Sequence, residues 1–114
     1  GHEAGDDALR AVAASVSGHA RPQDLVARFG GEEFCLLVPG LDPDAATHYF
    51  ETLRERIGAL RVPVGGDLLS MTVSIGLCMA TSEDDSLHRL LAEADKHLYL
   101  AKAGGRNQVR LATA

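Results

Sequence analysis

Two runs of β-forming residues, Leu25-Val26-Ala27-Arg28-Phe29 and Phe34-Cys35-Leu36-Leu37-Val38, are separated by four residues, Gly30-Gly31-Glu32-Glu33. So short a connection between strands needs positive φ, which glycine reaches without the cost of a Cβ. The pattern therefore predicts an antiparallel hairpin with the two glycines in its turn. The second run is continuously apolar, which predicts a central strand covered on both faces. Pro39-Gly40 stops it.

Helical periods surround this hairpin. Leu9, Val12, Ala13 and Val16 recur on one face. Asp6 or Asp7 stands where an N-cap carboxylate would accept free amide hydrogens, and Gly18 ends the pattern. Asp42-Pro43 reads as a cap followed by proline at the first helical position. Ala46, Tyr49, Phe50, Leu53, Ile57 and Leu60 follow at three- and four-residue steps, with Glu51, Arg54, Glu55 and Arg56 on the solvated face. Residues 61–67 read as a short extended piece and a turn. Residues 69–77 alternate, are rich in β-branched types, and predict one strand. Ser86 caps a last helix with Leu87, Leu90, Leu91, Ala94, Leu98 and Ala101 on one stripe. Gly104-Gly105 closes it as a glycine cap, and Val109-Arg110-Leu111 adds a short edge strand. The order is that of an α/β (α+β) fold, a ferredoxin-like or palm-like sheet flanked by helices.

At 114 residues, 46% hydrophobic and 24% charged, the chain is sized and composed as one soluble globular domain. Aromatics are 4% and Trp is absent, so the core is aliphatic. The net charge of −5 disfavours wrapping duplex nucleic acid, yet leaves room for a small phosphorylated ligand at a local basic cluster. No apolar run reaches the ~18 residues of a membrane span. The polar, acidic start does not read as a signal peptide. Cys35 and Cys78 sit in apolar runs without metal-ligand spacing, which predicts buried free thiols in a reducing, cytoplasmic setting. His2, His19, His48, His88 and His97 show no ligand spacing either.

Four clusters carry possible chemistry. At the hairpin tip, Gly30 and Gly31 would let a phosphate or ribose approach the backbone, and Glu32 and Glu33 offer hard oxygen ligands to a divalent metal. Neighbouring strand residues point to opposite faces, so both acids reach one site only if the turn bends the chain; otherwise they are acids placed for solubility. Lys102 and Arg106 flank the terminal glycines, either complementing the helix dipole or clamping phosphate. Arg21-x-x-Asp24 is either an exposed ion pair or an anion site in which Asp24 orients Arg21. Asp6 is either a helix cap or a carboxylate accepting from a guanine edge, with Leu9 one turn on packing the same purine.

In combination, Gly1-His2-x-x-Gly5-Asp6-x-x-Leu9, Arg21-x-x-Asp24, Gly30-Gly31-Glu32-Glu33-Phe34, Ser74-Ile75-Gly76, Ala94-Asp95 and Ala101-Lys102-x-x-Gly105-Arg106-Asn107 resemble the GGDEF family of bacterial diguanylate cyclases, in its GGEEF variant. The resemblance spans essentially the whole chain. It implies condensation of two GTP into cyclic di-GMP with release of pyrophosphate, in a two-fold homodimer with one GTP per subunit. It implies that Gly30 and Gly31 lie under the GTP ribose and phosphates. Glu32 would coordinate magnesium or manganese; Glu33 would do so too or help activate the attacking 3′-hydroxyl. Asp6 and Leu9 would hold guanine, and Lys102 and Arg106 the terminal phosphates. Arg21 and Asp24 match the inhibitory site where product binds, to which Arg54 or Arg56 would add a further guanidinium. Family domains open upstream with a central strand bearing a metal-binding Asp, and with an Asn that is a second guanine ligand. The resemblance thus implies that this single domain, residues 1–114, is about the C-terminal two-thirds of the family's, and inactive alone. It implies no nucleic-acid or membrane contact by this domain. The alternatives are a non-catalytic module sensing cyclic di-GMP or GTP, and a structural dimerisation domain.

Overall fold

The hairpin forms. Strand β1 (Leu25–Phe29) pairs antiparallel with β2 (Glu33–Leu37), in a register running from Leu25 opposite Leu37 to Phe29 opposite Glu33. The computed structural model describes residues 2–29, 33–82 and 85–112, so Gly30, Gly31 and Glu32 at the tip lie outside the described residues. Residues directly opposite in a ladder share a face. Val26 and Leu36 accordingly pack together on the core, whereas Leu25, Phe29 and Leu37 face away and are exposed. The unbroken apolar run of β2 predicts cover on both faces, and the structure corrects this. Among the described residues β2 pairs with β1 alone and meets the core on one face. Hydrophobicity without a period does not report which faces are covered.

Helix α1 (His2–His19) precedes the hairpin. It extends through Glu3 and Ala4, good helix formers, so Asp6 and Asp7 are interior residues and neither caps the helix as the sequence predicts. Val12 and Val16 turn to the core. Helix α2 (Pro43–Gly58) starts as expected: Asp42 is the N-cap, its Oδ1 accepting from the Ala45 amide at 2.8 Å, and Pro43 opens the first turn. Its apolar stripe is buried at Ala46, Phe50, Leu53 and Ile57.

The predicted turn after α2 is a two-residue hairpin. β3 (Val62–Val64) and β4 (Asp67–Leu69) pair antiparallel around Gly65 and Gly66, whose φ of 55° and 93° suit a type I′ turn. The single strand expected over 69–77 is instead broken. β4 ends at Leu69, residues 70–74 join no ladder, and β5 begins at Ile75 (Ile75–Cys78). Met71 and Val73 still pack on the core, which explains the alternation without a strand.

β5 then crosses through α3 (Leu87–Ala103) to β6 (Val109–Ala112), which it pairs in parallel, Ile75 opposite Val109. Parallel neighbours need such a helical crossover. Ser86 caps α3, its Oγ accepting from the Arg89 amide at 3.3 Å. Asp85 ties down the approach by accepting from the Thr81 amide and hydroxyl at 2.9 and 3.0 Å and from Arg89 Nε at 2.7 Å. The far end is a Schellman closure: the Arg106 amide donates to Ala101 O at 2.9 Å and the Gly105 amide to Lys102 O at 3.4 Å, with Gly105 at φ 117°. The described strands thus form three two-stranded ladders around one core, Val16, Ala46, Phe50, Leu53, Ile57 and Leu77. Both cysteines are free as expected, but half-buried rather than buried; burial still pushes the Cys35 thiol up.

Gly76 marks the closest approach of strand to helix. A Cβ there would fall 2.0 Å from Ala94 O and 2.2 Å from the Leu98 amide nitrogen, both rigid backbone of α3. Gly76→Ala should therefore force β5 off α3 and cost about 3 kcal/mol or more, at the upper end of overpacking penalties. Urea unfolding of the two proteins measures this; equal midpoints would show that the strand–helix contact gives way cheaply.

Candidate functional site

The connection between α1 and β1 folds Arg21-x-x-Asp24 into a turn closed by the Asp24 amide donating to Arg21 O at 2.9 Å. The Asp24 side chain is 0% exposed, so the exposed ion pair weighed from spacing alone is not what forms. Its Oδ1 accepts from Arg21 Nε at 3.1 Å and Nη2 at 2.8 Å. Its Oδ2 accepts from the Arg21 amide at 2.8 Å and the Tyr49 hydroxyl at 2.9 Å. Arg21 Nη2 also donates to Pro39 O at 2.6 Å, which leaves the two Nη1 hydrogens without a partner among the described residues. The Arg21 side chain stays 28% exposed. Donation from the Arg21 guanidinium pulls the Asp24 carboxyl down to about 2 against the opposing effect of burial, with the Arg21 amide and Tyr49 hydroxyl adding to the pull. The hydrogen bond to Asp24 in turn raises Arg21. Burial, and then donation to Asp24, pushes Tyr49 up to about 12.

A second cluster lies between α1 and β1. Asp6, Leu9, Arg10, Ala13 and Arg28 line a pocket of about 290 Å³, near the lower end of small-ligand sites (~300–1,000 Å³). The helical period sets Asp6, Leu9, Arg10 and Ala13 on one face. Alternation in β1 turns Arg28 opposite to Ala27, and its guanidinium lies 5.8 Å from the Phe34 ring centroid. Asp6 and Leu9 thus share one concavity.

Lys102 and Arg106 stand at the end of α3, both exposed. Neither side chain has a hydrogen bond or ion pair among the described residues. The loop that carries them is tethered. Gln108 Nε2 donates to Gly104 O at 3.0 Å and to Arg106 O at 3.1 Å. The Asn107 amide donates to Ser74 Oγ at 3.2 Å, and Asn107 Oδ1 accepts from Arg54 Nη1 at 2.8 Å. Arg106 and Asn107 hold φ of 61° and 47°, a left-handed pair that L-residues adopt at a cost.

Of the hairpin acids, Glu33 is described, exposed, at the start of β2, and on the ladder face opposite to Arg28. Glu32, Gly30 and Gly31 lie outside the described residues. The described residues contain no group of three or more His, Cys, Asp or Glu placed to hold a metal. No described helix is long and apolar enough to cross a membrane. Arg54 is committed to Glu51, at 2.8 Å, and to Asn107, while Arg56 lies over Gly18.

The profile of the "Diguanylate cyclase, GGDEF domain" family matches residues 1–108. The chain belongs to the GGDEF family. It is 37% identical over 111 residues to the response regulator PleD of Caulobacter vibrioides, an overlap of 96% of this chain and 24% of PleD. It is 41% identical over 109 residues to the diguanylate cyclase DgcM of Escherichia coli, 96% of this chain and 26% of that protein. It spans about a quarter of the length of these relatives. The crystal structure of the coiled coil and GGDEF domain of DgcB from Caulobacter crescentus, in complex with c-di-GMP, superposes with a TM-score of 0.89 at 31% identity. That match covers 98% of this chain and 60% of the other.

Two residues and one contact of these clusters are missed by the sequence reading. Tyr49 reads as one more member of an apolar stripe; the available signal is that a packed tyrosine needs a partner for its hydroxyl. Arg28 interrupts an apolar strand, which marks it as facing something other than core. The Arg54–Asn107 contact joins residues 53 apart and leaves no local signature.

The linkage at Asp24 has a definite sign. Its folded value, about 2, lies below its ordinary 3.8, so the stability it contributes is complete above pH ~4 and lost as pH falls through ~2. Asp24→Asn should lower the thermal midpoint at neutral pH and flatten its decline between pH 4 and 2. Melting curves of both proteins across that range decide it; parallel declines would mean that Asp24 is not held ionised by Arg21.

Proposed function

We propose that this chain supplies the C-terminal part of a diguanylate cyclase domain. Two GTP molecules, one on each subunit of a two-fold dimer, condense to cyclic di-GMP and two pyrophosphates. The family match over residues 1–108 carries this reading, since every side chain the chemistry needs from that span is present. Each 3′-hydroxyl attacks the α-phosphorus of the other GTP, loses its proton, and expels pyrophosphate. In this reading Asp6 accepts from the guanine edge while Leu9 packs against the ring, a role supported by their shared pocket. Lys102 and Arg106 hold the terminal phosphates, supported by their exposure and freedom from other partners. Gly30 and Gly31 give the ribose and phosphates room at the hairpin tip.

Magnesium or manganese fits this donor set, because magnesium is held by one or two carboxylates with water and substrate phosphates completing the shell. The exposed Glu33 and its neighbour Glu32 would supply those carboxylates. The metal when bound would lower the hydroxyl's pKa and offset phosphate charge. Arg21 and Asp24 form the inhibitory product site, supported by the carboxylate that already orients the guanidinium and leaves Nη1 free. That preassembly equally favours a second reading, a domain that binds cyclic di-GMP without turnover. We further propose that turnover requires sequence upstream of residue 1, and that the domain works in the cytoplasm.

In a protein extended upstream, Glu33→Ala should cut cyclic di-GMP synthesis at least ~100-fold while GTP still binds. Lys102→Ala or Arg106→Ala should raise the KM for GTP about 10-fold. Arg21→Ala should retain synthesis and lift product inhibition. A chromatographic assay with GTP and manganese reads all of these. Undiminished synthesis by Glu33→Ala would remove that residue from the mechanism, and absence of synthesis by the extended wild type would favour the binding module.

A further inference from the structure

We infer that Tyr49 is a positioning residue of the Arg21–Asp24 site, holding the buried carboxylate, and through it the guanidinium, in the geometry that receives cyclic di-GMP. This rests on the reading of that site as the product site. Arg21 and Asp24 both lie in the α1–β1 connection, where the Arg21 amide is the one backbone donor of the turn that holds the carboxylate among the described residues. Among the described residues, two groups from beyond that turn bond the pair: Pro39 O, in the β2–α2 connection, and the Tyr49 hydroxyl, on α2. Of these two, Tyr49 is the one that reaches Asp24. Its ring lies 5.8 Å below the Arg21 guanidinium carbon, within cation–π range, so it supports both partners.

Tyr49 is itself held by two neighbouring rings and by a contact to its backbone carbonyl. The His19 ring packs on it at 4.5 Å between centroids, tilted 59°, and the Phe50 ring at 4.9 Å and 70°. His19 Nε2 is 2.9 Å from the Tyr49 carbonyl oxygen. The hydroxyl therefore has little freedom to leave Asp24. Without it, Asp24 Oδ2 keeps the Arg21 amide and a longer contact to Arg21 Nε at 3.2 Å, and the carboxylate turns more freely. An Arg21 whose anchor wanders presents Nη1 over a range of directions, and a ligand must then meet the cost of fixing it.

The chain has two tyrosines and no tryptophan, and the other tyrosine, Tyr99, is 71% exposed on α3. Isotope-labelled tyrosine therefore gives two ring resonances, and Tyr99→Phe identifies which belongs to Tyr49. Cyclic di-GMP is titrated into the wild-type chain, Tyr49→Phe, Tyr99→Phe and Arg21→Ala, followed by calorimetry and by these resonances. The inference expects wild-type binding that shifts the Tyr49 resonance and leaves Tyr99 in place. It expects Tyr49→Phe to bind about 10-fold more weakly, the loss of one hydrogen bond to a buried charge. Tyr99→Phe should bind as wild type. Arg21→Ala should lose binding. Equal affinity of Tyr49→Phe and wild type, with Arg21→Ala still defective, overturns the role of Tyr49 and leaves the product site standing. Wild-type affinity in Arg21→Ala, or no binding by the wild type, overturns both. The titration of Tyr99→Phe keeps Tyr49 intact, so an unmoved Tyr49 resonance on binding overturns the inference even where Tyr49→Phe does not fold.

Discussion

Burial of the α2 stripe, with Ala46, Phe50, Leu53 and Ile57 each 5% exposed or less, joins parts of the molecule that no hydrogen-bonded sheet joins. The β1–β2 ladder and the β5–β6 ladder do not pair with one another among the described residues. Val26 and Leu36 from the first, and Leu77, Val109 and Leu111 from the second, meet in the core that these α2 side chains fill. Each large aliphatic or aromatic side chain so buried is worth roughly 1.5–3 kcal/mol. The polar flanks of the same helix then reach outward in two directions. Tyr49 bonds Asp24 beside β1, and Arg54 bonds Asn107 beside β6. The spacing between the Arg21–Asp24 pair and the end of α3 that carries Lys102 and Arg106 is therefore set by the packing of one helix.

Gly76 is the complementary constraint on the other side. It lets β5 lie against α3 so closely that backbone meets backbone, with no room for a methyl group. That contact fixes the height of the α3 C-terminus relative to the sheet, and with it the loop that carries Lys102 and Arg106. Ser74, two residues before Gly76, accepts from the Asn107 amide, so strand entry and helix exit are tied at one point. A glycine that the family motif contains thus has a packing reason that does not involve any ligand.

Features set by local chemistry were legible in the sequence. Asp42 and Ser86 cap helices because a side-chain oxygen and a free amide lie three residues apart in any chain that starts a helix there. The Gly65-Gly66 turn and the glycine end of α3 follow from positive φ. Features set by distant partners were not. The alternation over 69–77 is real, but whether it makes a ladder depends on what lies alongside, and only 75–78 finds β6. The start of α1 depends on helix propensity upstream of the acids, so Asp6 moved from cap to pocket wall. The Arg21–Asp24 pair was visible as a spacing, and its burial under Tyr49 was not, because α2 brings Tyr49 from 25 residues away. For Asp6, Leu9, Lys102 and Arg106 the residues alone left alternatives open, between which only the resemblance to a family chose.

The end of α3 poses an electrostatic question that bears on what Lys102 and Arg106 are for. A helix C-terminus carries roughly −0.5 of a charge, a poor place to bring a triphosphate. Cations there have an ordinary structural use, to complement that charge and to bond the last carbonyls. In this chain the carbonyls are largely served by other donors. Leu100 O takes the Gly104 amide at 2.8 Å, Ala101 O the Arg106 amide, Lys102 O the Gly105 amide, and Gly104 O the Gln108 side chain. The Schellman closure therefore frees both cationic side chains from hydrogen-bonding duty at the helix end. The left-handed Gly105 turns the Arg106 amide inward, to Ala101, while the Arg106 guanidinium stays exposed. Non-glycine residues at positive φ carry a cost that a merely dipole-complementing arginine would not require, since a lysine or arginine anywhere in the last turn serves that purpose. A tethered loop thus holds a guanidinium, unpaired among the described residues, outside a helix end whose carbonyls are already largely served.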